Sequence, residues 1–220
     1  SAAMVPSGER GSFLLHIYYF NYLCYSMMAL MILGISTILI SFHQKDLYRR
    51  NLCAPIRVTK LNAELILSVG VFAAAGYFIL VGAGLALYWD ELWSSGVLGM
   101  LCLNFLIFSI VSVGIGFLTG VFVKNYNVQS AVANVVTLSM SFLCGVFVPQ
   151  TIMSPAVLKV SQFLPAYWYV RANHLLGEMN TISFEAIKPI LGCMGVQLLF
   201  AAAIFTVALL MSKKKRVTAS

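Results

Sequence analysis

Charge is what this chain has least of. Only 10% of its 220 residues are Asp, Glu, Lys or Arg, against about a quarter in an ordinary globular domain. With 60% hydrophobic residues and a mean hydropathy of +0.91, a soluble fold of this size could not hide its apolar surface, because a small domain keeps a large exposed shell. Catalytic signatures are missing as well. There is no HExxH, no GxSxG and no P-loop GxxxxGK[ST], which excludes the usual zinc hydrolase, serine hydrolase and direct nucleotide-binding chemistries. The cysteines, Cys24, Cys53, Cys102, Cys144 and Cys193, form no CxxC and have no histidine at ligand spacing, so they read as polarizable packing residues. His16, His43 and His174 lie far apart, and no Asp or Glu falls deep within an apolar run, which leaves no proton relay. An enzyme, a metal site and a bound cofactor are all unexpected.

What is present is five apolar runs, near residues 18–42, 63–88, 96–122, 128–148 and 188–211. At 1.5 Å per residue, about 20 helical residues cross a hydrocarbon core of about 30 Å, so the expected fold class is an all-α, polytopic helical membrane protein. The basic residues give its orientation. Lys45, Arg49, Arg50, Arg57, Lys60, Lys124, Lys213, Lys214, Lys215 and Arg216, ten of the fourteen, fall on one side of the predicted bundle. The positive-inside rule puts that side in the cytoplasm. Residues 1–17 are then an exterior juxtamembrane segment, 43–60 a cytoplasmic loop and 212–220 a cytoplasmic tail, in the plasma membrane of a bacterial cell. The net charge of +7 reports topology and anionic lipid headgroups, with no nucleic-acid partner expected. Residues 1–17 contain no cleavable signal, and an exterior amino terminus with five spans implies a longer polypeptide with at least one more span upstream; unassisted insertion is the alternative.

The spans differ in polarity. Gly116 and Gly120 form a GxxxG on one face with Ser109 and Ser112, a pattern of close helix packing. In the fourth span, Ser130, Asn134, Thr137 and Ser141 recur at spacings of four, three and four, with Gln129 ahead of them. Such a stripe is costly against lipid; it lines a route or bonds neighbouring helices, and one stripe can do both. Pro149, Pro155 and Pro165 then divide an apolar stretch into pieces too short to span. Residues 149–187 are expected to form an exterior, partly re-entrant hairpin, with Trp168 at the interface and Arg171 beyond it.

The strings RRNLCAPI and FLCGVFVPQTIMSPAVLKVSQFLPAYWYVRANHLL, in this order among the spans, resemble the permease subunits of type-2 ABC exporters, from about Tyr18 to Met211. The first span of that family and the extracellular domain that often follows it have no counterpart here. The resemblance implies a membrane permease subunit that forms a substrate path, pairs with a second permease half and couples to a separate cytoplasmic ABC ATPase, which would carry ATP and Mg. It implies that Lys45, Arg49, Arg50, Asn51, Pro55 and Arg57 form the coupling region, and that the proline-rich hairpin closes the route from outside. A secondary transporter and a membrane scaffold or assembly protein are the alternatives.

Overall fold

The computed structural model describes residues 7–42, 58–94, 96–123, 125–179 and 184–218. All regular structure among them is helical: α1 (Ser7–Phe42), α2 (Val58–Leu87), α3 (Trp89–Ser94), α4 (Leu98–Phe122), α5 (Tyr126–Cys144), a 3-10 turn (Gln150–Ile152), α6 (Pro155–Ser161), α7 (Pro165–Gly177) and α8 (Phe184–Thr218). Five of these are long and apolar enough to cross a membrane: Leu15–Ser41, Ala63–Leu87, Leu98–Phe122, Tyr126–Cys144 and Glu185–Lys214.

Burial orders the bundle. The apolar stretches of α1 and α4 are 56% and 50% buried against 17% for α2, so α1 and α4 form the centre and α2 lies on the periphery. Small residues let the central pair close up. A Cβ on Gly116 would stand 2.5 Å from the Met31 carbonyl oxygen, and one on Gly120 would stand 3.2 Å from Ser36 Cα; only glycine admits another backbone that near. The two helices run parallel, since Gly116 of α4 faces Met31 and Ile35 of α1, and Gly120, one turn on, faces Ser36 and Leu39. Helix α5 runs antiparallel to α1, with Gln129 near Leu33 and Thr37 at one end and Phe147 against Tyr22 and Tyr25 at the other. Helix α8 closes over α4, Ile204 and Phe205 lying beside Gly114.

The turns follow the local chemistry. Helix α5 stops at Cys144, four residues before the apolar run ends, because Gly145 takes φ +95°, a left-handed conformation that ends a helix and suits glycine. Pro155 and Pro165 occupy the first positions of α6 and α7, where a missing N–H costs nothing. Helix α8 begins at Phe184, ahead of the expected span, and contains Pro189 in its early turns; Glu185 in its first turn meets the positive end of the helix dipole and pairs with Lys188 at 3.3 Å.

Candidate functional site

The six residues expected to couple the chain to an ATPase, Lys45, Arg49, Arg50, Asn51, Pro55 and Arg57, lie outside the described residues. The polar stripe of α5 is described in full, and its members divide. Ser130 and Asn134 are exposed, whereas Thr137 and Ser141 are buried. Helical geometry accounts for the split. The buried row runs through Gln129, Ala133, Thr137, Met140, Ser141 and Cys144, and at roughly 100° per residue the stripe enters that row at Thr137 and Ser141 and leaves it at Ser130 and Asn134. Two hydroxyls on the stripe return to their own helix: Ser130 Oγ donates to Tyr126 O at 3.3 Å and Thr137 Oγ1 to Ala133 O at 2.7 Å, whereas the buried Ser141 Oγ has no hydrogen-bond partner among the described residues. Gln129 is the residue that bonds across, its Nε2 donating to Leu33 O and, at 2.8 Å, to Thr37 Oγ1 of α1.

The exposed edge of α5 continues onto α1, where Tyr18, Tyr22, Leu30, Leu33 and Thr37 are exposed along one face. On its other flank α1 meets α2 through Tyr19, whose hydroxyl donates to Leu80 O at 2.8 Å. Between them lies a groove of about 380 Å³ lined by Tyr18, Tyr19, Tyr22, Ser26 and Tyr88 together with Leu15, Leu23 and Leu80. It contains hydroxyls and ring faces but no charge, a surface fit for an amphipathic molecule.

The proline-divided segment lies at the end of the bundle that carries the α2–α4 connection. Pro149 precedes the 3-10 turn and Pro155 is exposed, whereas Pro165 is buried. Trp168 is half-buried and donates from Nε1 to Gln162 O at 2.9 Å. Arg171 is exposed, with its guanidinium 5.8 Å from the Trp168 ring and Nη1 donating to the Tyr167 hydroxyl at 3.3 Å. Further along α7, burial lowers the pKa of His174 below its ordinary value, while the Glu178 carboxylate opposes the shift.

The most connected polar group was not visible as a motif. Gln197 Nε2 of α8 donates to Asn104 Oδ1 of α4 at 2.8 Å, Asn104 Nδ2 to Asn173 Oδ1 of α7 at 2.8 Å, and Asn173 Nδ2 to Asn21 Oδ1 of α1 at 2.9 Å. All four side chains are buried, Asn21 at 1% exposure and the others at 0%. Asn21, Asn104 and Gln197 each stand alone in an apolar span and Asn173 lies between Arg171 and His174 of α7, so no spacing links them. The available signal was a lone amide in each of three apolar spans, since an amide in hydrocarbon needs a partner.

No curated protein and no solved structure matches the chain. A family model described as ABC-2 type transporter matches residues 10–174, more than half of the chain. That match covers the central α1–α4 pair, the polar edge of α5 and the proline-divided segment up to α7. Five spanning helices and this match identify a multi-pass membrane protein that is a permease component, not itself catalytic: the chain belongs to the ABC-2 type transporter family.

Proposed function

We propose that this chain is the permease subunit of an ABC exporter, driven by a separate cytoplasmic ATPase that binds ATP and Mg. The observation that carries the reading is the exposed face shared by α1 and α5. It places Ser130 and Asn134, polar side chains on a spanning helix, in the open on the α5 edge that begins where Gln129 bonds Thr37, with the tyrosine groove towards the other end of α1. Hydrocarbon is a poor solvent for such groups. A second permease half covering this face, identical or not, would enclose a route for cargo between the two. The groove and the polar edge are uncharged, which suits an amphipathic or lipid-like cargo over an ion.

Hydrolysis takes place in a soluble domain, so its conformational work must enter the membrane through a polar, membrane-proximal element. The stretch His43–Lys60, with Arg49 and Arg50 at its middle and Pro55 and Arg57 beyond, has that composition. It joins the central helix α1 to the peripheral helix α2, a position from which a push would reach the core. Cytoplasmic placement of this loop, with the start of α1 outside and the basic tail inside, follows from the distribution of Lys and Arg. The segment beginning at Pro149 would then lie at the outer surface and close the route there.

The test is reconstitution with a candidate ABC ATPase. The wild-type chain should co-purify with the ATPase and change its hydrolysis rate, and the Arg49→Glu/Arg50→Glu variant should insert normally but lose that effect together with export. Unchanged export in the double variant overturns the coupling assignment. Labelling of Lys45 or Lys60 from the outer surface overturns the orientation.

A further inference from the structure

Helix α7 is tied to the bundle in a way that the chain before it is not. Tyr169 and Asn173, one turn apart on α7, are both fully buried. The Tyr169 hydroxyl donates to Phe20 O of α1 at 2.6 Å, while Asn104 Nδ2 of α4 donates both to Tyr169 O at 3.1 Å and to Asn173 Oδ1 at 2.8 Å. Asn173 Nδ2 continues to Asn21 of α1, and Gln197 of α8 supports Asn104 from behind. The Tyr169 ring lies 4.7 Å from that of Phe108, centroid to centroid. Lifting α7 would break the bonds to Phe20, Asn21 and Asn104 where no water has access to replace them. Because every side chain in the chain of amides is uncharged, the connection carries no desolvated ion.

Residues 150–163 contrast with this. Ile152, Val160 and Phe163 are 74%, 59% and 81% exposed. Among the described residues, the side-chain hydrogen bond from this stretch to a span is that of Gln150 Nε2 to Cys144 O, at 2.7 Å. The stretch is bounded by the left-handed Gly145 on one side and by extended Leu164 before Pro165 on the other; at both the backbone changes direction, and each N–H donates back to the helix it leaves, Gly145 to Ser141 O and Leu164 to Ser161 O at 2.8 Å.

We infer that Asn21, Asn104, Asn173 and Gln197 are positioning residues that lock α7 to α1, α4 and α8 as one unit, so that motion of the proline-divided segment is confined to residues 145–164. The segment is thus an anchored half and a more lightly held half, the latter tied by Gln150 Nε2 to Cys144 O and Tyr167 O, by Trp168 Nε1 to Gln162 O and by the burial of Ser161, not a single hairpin moving as a piece. This holds whatever the permease carries and whichever way it faces, and its test needs neither cargo nor ATPase.

Hydrogen–deuterium exchange on the full chain in lipid nanodiscs measures it directly. In the wild type, amides of residues 166–177 should exchange more slowly than those of 155–161 by about ten-fold or more. Asn104→Leu should speed exchange in α7 and leave α2 and α5 unchanged. Gln129→Leu, which unties α5 from α1, should leave α7 protected. Equal wild-type rates in α6 and α7 overturn the inference, as does an Asn104→Leu effect spread evenly over all helices or absent from α7. Should Asn104→Leu fail to insert, Tyr169→Phe removes only the bond to Phe20 and must raise α7 exchange by itself; no rise overturns the inference equally.

Discussion

Gly116 of α4 stands so near Met31 of α1 that a methyl group in place of its hydrogen would lie 2.5 Å from the Met31 carbonyl oxygen and 2.9 Å from the carbonyl carbon. Backbone cannot swing aside as a long side chain can. Gly116→Ala should therefore force the two central helices apart and cost about 1–3 kcal/mol, the range for overpacking a tight interior. Gly192→Ala, where nothing lies within 4 Å of the added carbon, should be neutral or slightly stabilising. Thermal unfolding of the two variants in the same detergent checks the contrast; equal losses would remove the close approach as the cause.

The bond between Gln197 and Asn104 should be measurable as a coupling. Asn104→Leu strands the amide of Gln197 and the oxygen of Asn173, at an expected cost of about 1–3 kcal/mol. A double-mutant cycle with Gln197→Leu should return an interaction energy of about 0.5–1.5 kcal/mol, the scale of interhelical bonds in membranes. Ser109→Ala and Ser112→Ala provide the comparison. Those hydroxyls donate to Phe105 O and Phe108 O of their own helix, so each substitution should stay within about 0.5 kcal/mol.

Gly145→Ala should destabilise the end of α5. At φ +95° a Cβ is strained, by about 1–2 kcal/mol for a left-handed residue, and it would also collide with Gln150 Cγ. Adding Gln150→Ala relieves the collision and leaves the strain. Because Gln150→Ala also removes the bond of Gln150 Nε2 to Cys144 O, limited proteolysis of residues 145–164 should accelerate in the single variant and stay accelerated in the double one; a return to the wild-type rate would show that neither the strain nor that bond holds the segment.

Acid should weaken the fold through His174. Its folded-state pKa is lowered by burial, with Glu178 opposing, so the unfolded chain takes up a proton first as pH falls. The stabilising contribution is complete above the unfolded value of about 6.5 and is lost on descending through the folded one. Melting temperatures between about pH 7.5 and about pH 5.5 should fall more for the wild type than for His174→Gln. Parallel pH profiles would show that another group governs the loss.

The spans were legible because runs such as Ala63–Leu87 are continuous and bounded by charge or by glycine and proline. Helix ends were less so. Gly145 stops α5 inside an apolar run by its backbone conformation, and hydropathy carries no trace of that. The stripe of α5 was correctly spaced, yet spacing alone gives no rotation about the helix axis, so the boundary between covered Thr137 and open Asn134 waited on the placement of α1. The amides at Asn21, Asn104, Asn173 and Gln197 lie up to 176 positions apart. Their meeting is a property of how four helices pack, and nothing local in the chain encodes it.

The chain has three tryptophans, and all of them lie at one end of the bundle. Trp89 and Trp93 stack on α3 with ring centroids 5.4 Å apart, beside Tyr88 and Tyr19, and Trp168 sits near the start of α7, next to Tyr167. Intrinsic fluorescence from this protein is therefore one-sided. In sealed vesicles holding uniformly oriented molecules, iodide added to the bath reaches the indoles either together or not at all, and the unlabelled wild-type chain becomes its own compass.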